Sequence, residues 1–148
     1  MTIKIKRIDK TLPLPEYKTT GSAAFDLYSR EQVTIPAKGW ALAPSNIIME
    51  IPQGQGLIIS ARSSLAKSYP GLILANGIGL IDSDYRGPND EIKISLYNFT
   101  EKEIVIKRGD RIANAFLVKY ERYSWNEIEE IDNDNRGGFG STGIKLND

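Results

Sequence analysis

The chain is expected to fold as an all-β sandwich or barrel, and three features carry that expectation. Apolar residues recur with period two over many short stretches, where a helix would show a 3.6-residue period. Clusters of Pro, Gly, Asn and Asp separate these stretches at short intervals, as they do in proteins built from many short strands. Only SSLAKS (63–68) suits a helix, of a turn or two.

Taken in order, TIKIKRI (2–8) alternates cleanly, which gives one apolar and one polar face on an extended chain. Pro36-Ala37-Lys38-Gly39 is a turn signal. NIIMEI (46–51) and GLIISA (56–61) are short β-branched runs parted by Pro52-Gln53-Gly54. Ser63 or Ser64 can cap the short helix at 63–68. Pro70-Gly71 ends that helix, and LILA (72–75) resumes extended structure. Gly79-Leu80-Ile81 reads as a buried strand that delivers Asp82 to its end. A turn at Gly87-Pro88-Asn89-Asp90 precedes EIKISLY (91–97), and EIVI (103–106), Arg108-Gly109-Asp110 and RIANAFLVKY (111–120) complete the series. After Tyr120 the texture changes to the acidic SWNEIEEIDND and then the glycine-rich NRGGFGSTG (135–143). The expected division is a β core over 1–134 and a flexible C-terminal arm over 135–148.

At 148 residues the chain fits one domain, long enough to bury roughly 70% of the surface its unfolded form exposes. No apolar run approaches the roughly 20 residues that span a bilayer, and the N-terminus lacks a signal-peptide core. The expected setting is therefore the cytoplasm, away from membranes. Zero cysteines remove disulfides, thiolate metal sites and cysteine nucleophiles; zero histidines remove Ser-His-Asp triads and imidazole bases. Acid–base chemistry is left to Asp, Glu, Lys or Tyr. Nineteen basic residues balance nineteen acidic ones, without the basic excess that a binder of polymeric nucleic acid carries. A small anion held by a few convergent arginines needs only local charge.

Three segments carry candidate chemistry. NGIGLIDSDYRG (76–87) sets an apolar run between glycines that permit tight turns and close approach, and it presents Asp82 and Tyr85. ARSSLA (61–66) offers a guanidinium, two hydroxyls and backbone N–H groups together, a set suited to phosphate. NRGGFGSTG places Arg136, Phe139, Ser141 and Thr142 among glycines, where arginine and hydroxyls suit phosphate and phenylalanine suits a base. Each also has a plain reading: an ordinary β-turn, a capped surface helix and a disordered tail.

Joined in order, these pieces resemble the trimeric dUTPase family, whose members hydrolyse dUTP to dUMP and pyrophosphate. Five motifs carry the resemblance: AAFDLYS (23–29), ARSSLA (61–66), GIGLIDSDYRG (77–87), GDRIAN (109–114) and RGGFGSTG (136–143). The resemblance implies a distorted jelly-roll, a β-sandwich-like barrel, assembled as a homotrimer with shared active sites. It implies that Asp82 is the catalytic base for water attack on the α-phosphate. It further implies that Mg²⁺ is required, with Asp26 acting through the metal's water shell.

Arg62, Ser63 and Ser64 would hold the α- and β-phosphates. Asn76 and the backbone through Gly79, Leu80 and Ile81 resemble the hairpin that reads uracil, and Tyr85 would pack under the deoxyribose. Lys93 would contribute through its backbone. Arg136 and Phe139, with Gly140, Ser141 and Thr142, would close over the nucleotide of a neighbouring subunit. The fourth motif usually ends in glutamine; Asn114 is one methylene shorter and is expected to reach the metal's waters through an additional water. In the fifth motif Arg136 lies directly before Gly137-Gly138-Phe139, two residues closer than is usual.

Two alternatives are weighed against this reading. A dCTP deaminase, or a bifunctional deaminase-diphosphatase, of the same fold carries a glutamate in a pattern like ELSN, but ISLYN (94–98) has Ser95 there. A non-enzymatic nucleotide-binding β domain would keep the pocket and lose the base. Trp40 and Trp125 are expected to be packing anchors. Arg111, Asp110, Asp84 and Arg86 are expected to form interface ion pairs at least as readily as they serve the site, and are left outside it.

Overall fold

The computed structural model of the chain describes residues 2–138. Eleven strands and one short helix occupy that range: β1 Ile5–Arg7, β2 Phe25–Tyr28, β3 Val33–Ile35, β4 Trp40–Pro44, β5 Ile47–Met49, β6 Gln55–Ala61, α1 Leu65–Ser68, β7 Leu72–Leu74, β8 Gly79–Ile81, β9 Lys93–Asn98, β10 Ile104–Ile106 and β11 Arg111–Lys119. Every pairing among them is antiparallel. A four-stranded sheet runs β2-β11-β6-β8 and a three-stranded sheet runs β4-β9-β7; β1-β5 and β10-β3 form two-stranded ribbons.

One hydrophobic core joins the sheets. Leu27, Leu57, Ile59, Ala113 and Ala115 enter it from the four-stranded sheet, and Ala43, Leu72, Leu74, Ile94 and Leu96 from the three-stranded one. Ile35, Ile106, Ile47 and Met49 add the inner faces of the ribbons. This is the sandwich expected of strands with one apolar face each. Among the described residues, no helix is long and apolar enough to cross a membrane.

Strands β2, β3 and β4 lie where the sequence shows only a motif and a turn. They are three to five residues long, so alternation has room for one or two repeats and leaves little signal. The turn at Pro36–Gly39 is present, closed by Gly39 N–H donating to the Pro36 carbonyl at 3.1 Å. Strand β8 is less buried than expected: Gly79 is buried, but Leu80 is 60% exposed. It is the outer strand of its sheet, with one paired edge, so its outward side chain has nothing packed over it. Trp40 and Trp125 are 62% and 93% exposed, which corrects the expectation that they anchor packing within the chain. Trp40 projects from the outer face of β4, and Trp125 lies in the exposed run that follows β11.

Two buried polar groups shape the loops. The Asn98 side-chain amide donates to the carbonyls of Ile35, Pro36 and Lys102, and its oxygen accepts from Thr100. It thereby pairs loop groups that β-ladders leave open. Glu91, also buried, takes a two-pronged ion pair from Arg30 at 2.8 and 3.1 Å and a 2.8 Å hydrogen bond from Asn46 N–H. That network fixes the chain directly after the Asp82–Asp90 loop.

Candidate active site

Strand β6 organises the site because both candidate clusters hang from it. Its neighbour β8 pairs Leu57 with Ile81, Ile58 with Leu80 and Ile59 with Gly79. Close approach of the two strands requires glycine at 79: a Cβ there would sit 3.0 Å from the Ile59 Cβ, tighter than side chains normally tolerate. The connection into β8 turns through Gly77 at φ +71°, a left-handed conformation costly for other residues. Asn76 lies exposed at that turn, its carbonyl accepting from Ile78 N–H at 2.8 Å. Asp82 follows β8 directly, and its side chain is exposed to water. The loop beyond it is braced at Tyr85, whose hydroxyl donates to the Glu91 carbonyl at 3.2 Å. Asp90 closes the Gly87–Asp90 turn by accepting from Gly87 N–H at 2.6 Å. Lys93 opens β9 with an exposed side chain, its backbone paired with Pro44.

The second cluster centres on Asp26. Its carboxylate is almost fully buried and takes three donors: Arg62 Nε at 2.9 Å, Arg111 Nη1 at 2.9 Å and Asn114 Nδ2 at 2.8 Å. The register explains the meeting, since Asn114 on β11 lies opposite Asp26 on β2 and Ser60 on β6. Arg62, two residues beyond Ser60, folds back across the sheet. Its Nη1 also donates to Ser64 Oγ and to the Arg111 carbonyl, each at 3.1 Å. Ser64 occupies the N-cap position before α1, but its hydroxyl makes no capping hydrogen bond, a correction to the expected role of the serine hydroxyl. Its oxygen accepts from Arg62 instead. Ser63 is exposed beside them.

Arg111 thus pairs within its own chain, in the Asp26 cluster, whereas its sequence also fitted an interface contact. Asp110 is taken up locally, by Lys107 N–H at 2.8 Å and by the Tyr69 hydroxyl. The Tyr69 hydroxyl is pushed up to about 12, first by burial and then by the hydrogen bond to Asp110. Among the described residues no ion pair joins Arg86 to Asp84.

The two clusters do not meet within one chain. Asp82 is level with Gly56 and Asp26 with Ser60, four residues apart along β6 and three strand spacings apart across the sheet. At about 3.3 Å per residue and about 4.8 Å per strand, the two carboxylates stand about 20 Å apart. Arg136 lies in the exposed stretch at the end of the described residues. Phe139, Gly140, Ser141 and Thr142 lie outside them.

Among the described residues, no group of three or more acidic side chains forms a ready metal cage. The Asp26 cluster still suits a metal held by its waters: Oδ1 accepts two of the three hydrogen bonds and Oδ2 one, which leaves Oδ2 a lone pair for a water.

The comparisons match this arrangement over nearly the whole chain. The dUTPase family profile covers residues 10–143. The deoxyuridine 5'-triphosphate nucleotidohydrolase of Dictyoglomus turgidum is 44% identical over 148 residues, spanning 96% of this chain and 98% of its own. Among solved structures, the Streptococcus mutans dUTPase superposes with a TM-score of 0.73 at 26% identity, covering 82% of this chain and 98% of its own. The Staphylococcus bacteriophage 80alpha dUTPase, solved with dUPNHPP, shares the fold at a TM-score of 0.83 and 22% identity, over 97% and 99% of the two chains. With the family profile and relatives this similar from end to end, the chain belongs to the dUTPase family.

Proposed function

We infer that this chain is a dUTP diphosphatase acting in the cytoplasm. It cleaves dUTP to dUMP and pyrophosphate, which limits uracil entry into DNA and supplies dUMP for dTMP synthesis. The observation that carries the reading is the pair of clusters on β6: an exposed carboxylate at the end of a glycine-gated strand, and a guanidinium pair locked on Asp26.

Asp82 accepts a proton from water as the water oxygen bonds to the α-phosphorus. The bond from that phosphorus to the α–β bridging oxygen breaks, and its electrons leave with pyrophosphate. Asp82 then returns its proton to solvent. Arg62, Ser63 and Ser64 hold the phosphates in line. Asp26 and Asn114 would hold Mg²⁺ through its waters, and the ion would supply charge neutralisation for the leaving pyrophosphate. Asn76 and the backbone of Gly79, Leu80 and Ile81 read uracil, Tyr85 underlies the sugar, and the Lys93 backbone completes the pocket. The arm over 135–148, separate from the core over 1–134, brings Arg136, Phe139, Gly140, Ser141 and Thr142 over the nucleotide.

The separation of Asp82 from Arg62 supports a site shared between copies, in keeping with the homotrimer that the motif resemblance implies. A water attacking phosphorus must sit within about 3–3.5 Å of it, and one chain cannot span about 20 Å with both groups on a single phosphate. Deamination is disfavoured, because position 95 on β9 holds a serine where that chemistry uses a carboxylate.

The test is incubation of purified protein and Mg²⁺ with dUTP, dCTP, dTTP and UTP, followed by separation of the products. Conversion of dUTP to dUMP and pyrophosphate, with the others spared, is expected. Appearance of dUTP or dUMP from dCTP would replace the assignment with a deaminase. No turnover at all would leave a nucleotide-binding domain.

A further inference from the structure

The loop over 82–90 leaves β8 for β9 and carries both the proposed base and Tyr85. Within it the backbone makes only short turns of its own. Tyr85 N–H donates to the Asp82 carbonyl at 3.2 Å, Arg86 N–H to that of Asp84 at 2.9 Å and Asp90 N–H to that of Gly87 at 3.1 Å. A loop outside the strand ladders holds a side chain still only where something beyond the loop ties it. Tyr85 has such a tie: its residue is 38% exposed, yet its hydroxyl reaches past the loop to donate to the Glu91 carbonyl at 3.2 Å.

Glu91 is a fixed point. It is buried, and its Oε1 accepts from Arg30 Nε and from Asn46 N–H, both at 2.8 Å, while Oε2 accepts from Arg30 Nη2 at 3.1 Å. Each of those partners is itself held. Arg30 N–H donates to the Pro44 carbonyl at 2.8 Å. Asn46, turned to φ +73°, exchanges two side-chain hydrogen bonds with the Asp9 backbone, at 2.7 and 2.9 Å. On the far side of Glu91, Ile92 N–H donates to Ile47 at 3.0 Å and its carbonyl accepts from Ser45 N–H at 2.9 Å. The carbonyl under the Tyr85 hydroxyl is therefore anchored to the segment after β2, to the β4–β5 turn and, through Asn46, to Asp9.

We propose that Glu91, gripped by Arg30 and Asn46, is a positioning residue for sugar selectivity, fixing the Tyr85 ring beneath the deoxyribose so that it cannot withdraw from a 2′-hydroxyl. The proposal rests on the dUTPase reading and deepens it. A free ring yields to an extra oxygen by rotating away. A tied ring yields only by giving up its hydrogen bond, so the worth of that bond is added to the discrimination against ribose. Arg30 and Glu91 neutralise each other in a two-pronged pair, and the grip they supply is directional rather than a charge offered to the ligand.

The experiment measures kcat and KM for dUTP and for UTP, with UTP also followed as an inhibitor of dUTP turnover. It compares the full wild-type chain with Tyr85→Phe, Glu91→Gln, Arg30→Lys and the double variant Tyr85→Phe/Glu91→Gln, and a thermal melt of each shows that it folds. Tyr85→Phe keeps the ring and removes the tie. Its ratio of kcat/KM for dUTP over UTP is expected to fall roughly two- to tenfold, the worth of one hydrogen bond, with UTP binding more tightly. Glu91→Gln should lower the ratio in the same direction, and Arg30→Lys less, since it keeps the charge and loses the fork. The double variant should match Tyr85→Phe alone, because Glu91 acts through the hydroxyl. An unchanged ratio in Tyr85→Phe overturns the proposal even where Glu91→Gln fails to fold. A Glu91→Gln chain that melts earlier at an unaltered ratio makes Glu91 structural only, and losses that add in the double variant give it another route; either overturns the proposal. A wild type that cleaves dUTP and UTP equally keeps the function and overturns the selectivity. One that cleaves neither removes the function itself, recognised because every form is then silent.

Discussion

Two individually inactive variants should restore activity when their chains are mixed. Arg62→Ala removes the phosphate cluster's first arginine and Asp82→Asn removes the proposed base, and the β6 register holds these positions about 20 Å apart within a chain. If each site takes Arg62 from one copy and Asp82 from another, a site in a mixed assembly works only when the first copy is the Asp82→Asn chain and the second the Arg62→Ala chain. With equal amounts and random reassembly each condition is met half the time, so about a quarter of the wild-type rate should return. The assay is dUTP turnover after the two variants are unfolded together in urea and refolded at a 1:1 ratio. Each variant refolded alone is the control. A mixture as inactive as its components would show that one chain supplies both groups, and would refute the inference drawn from the sheet register.

Three further outcomes follow from the geometry. Asp82→Asn by itself should abolish most turnover while leaving dUpNHpp binding near wild type, because an exposed amide keeps the shape and loses the base; full activity would move the base elsewhere. Gly79→Ala should lower stability by about 1–3 kcal/mol in urea unfolding, the usual cost of overpacking, since its Cβ would meet Ile59 at 3.0 Å. A midpoint equal to wild type would show that β6 and β8 separate freely. Tyr69 has its hydroxyl raised from 10.0 to about 12 in the folded chain. Between those values the unfolded chain has lost this proton and the folded chain keeps it, so the contribution is whole below pH 10 and fades as pH climbs toward 12. Tyr69→Phe should flatten that part of the stability–pH curve, and identical curves would refute the assignment.

Much of the site is legible in the sequence because it is carried by local backbone requirements. A glycine where two strands nearly touch, a carboxylate at a strand end and an arginine followed by serines are contiguous features, and the structure puts them on β8, on the loop that follows it and at the end of β6. The alternating and β-branched runs are legible for the same reason, and 46–51, 56–61, 91–97 and 111–120 all contain strands. Strands β2 to β4 are not, since over three to five residues alternation barely repeats.

The sequence by itself determined the all-β class, the absence of histidine and cysteine chemistry, and the order of the motifs that mark the family. Only the tertiary structure decided which of those residues meet. Asp26 contacts partners 36, 85 and 88 positions away, and a count of residues along a regular strand would have turned Arg111 into the core. A bulge of one residue reverses that parity, and nothing in the local composition of Arg111-Ile112-Ala113 announces it. The same register holds Asp82 and Arg62 apart, because strand pairing sets distances across a sheet that spacing along the chain does not contain.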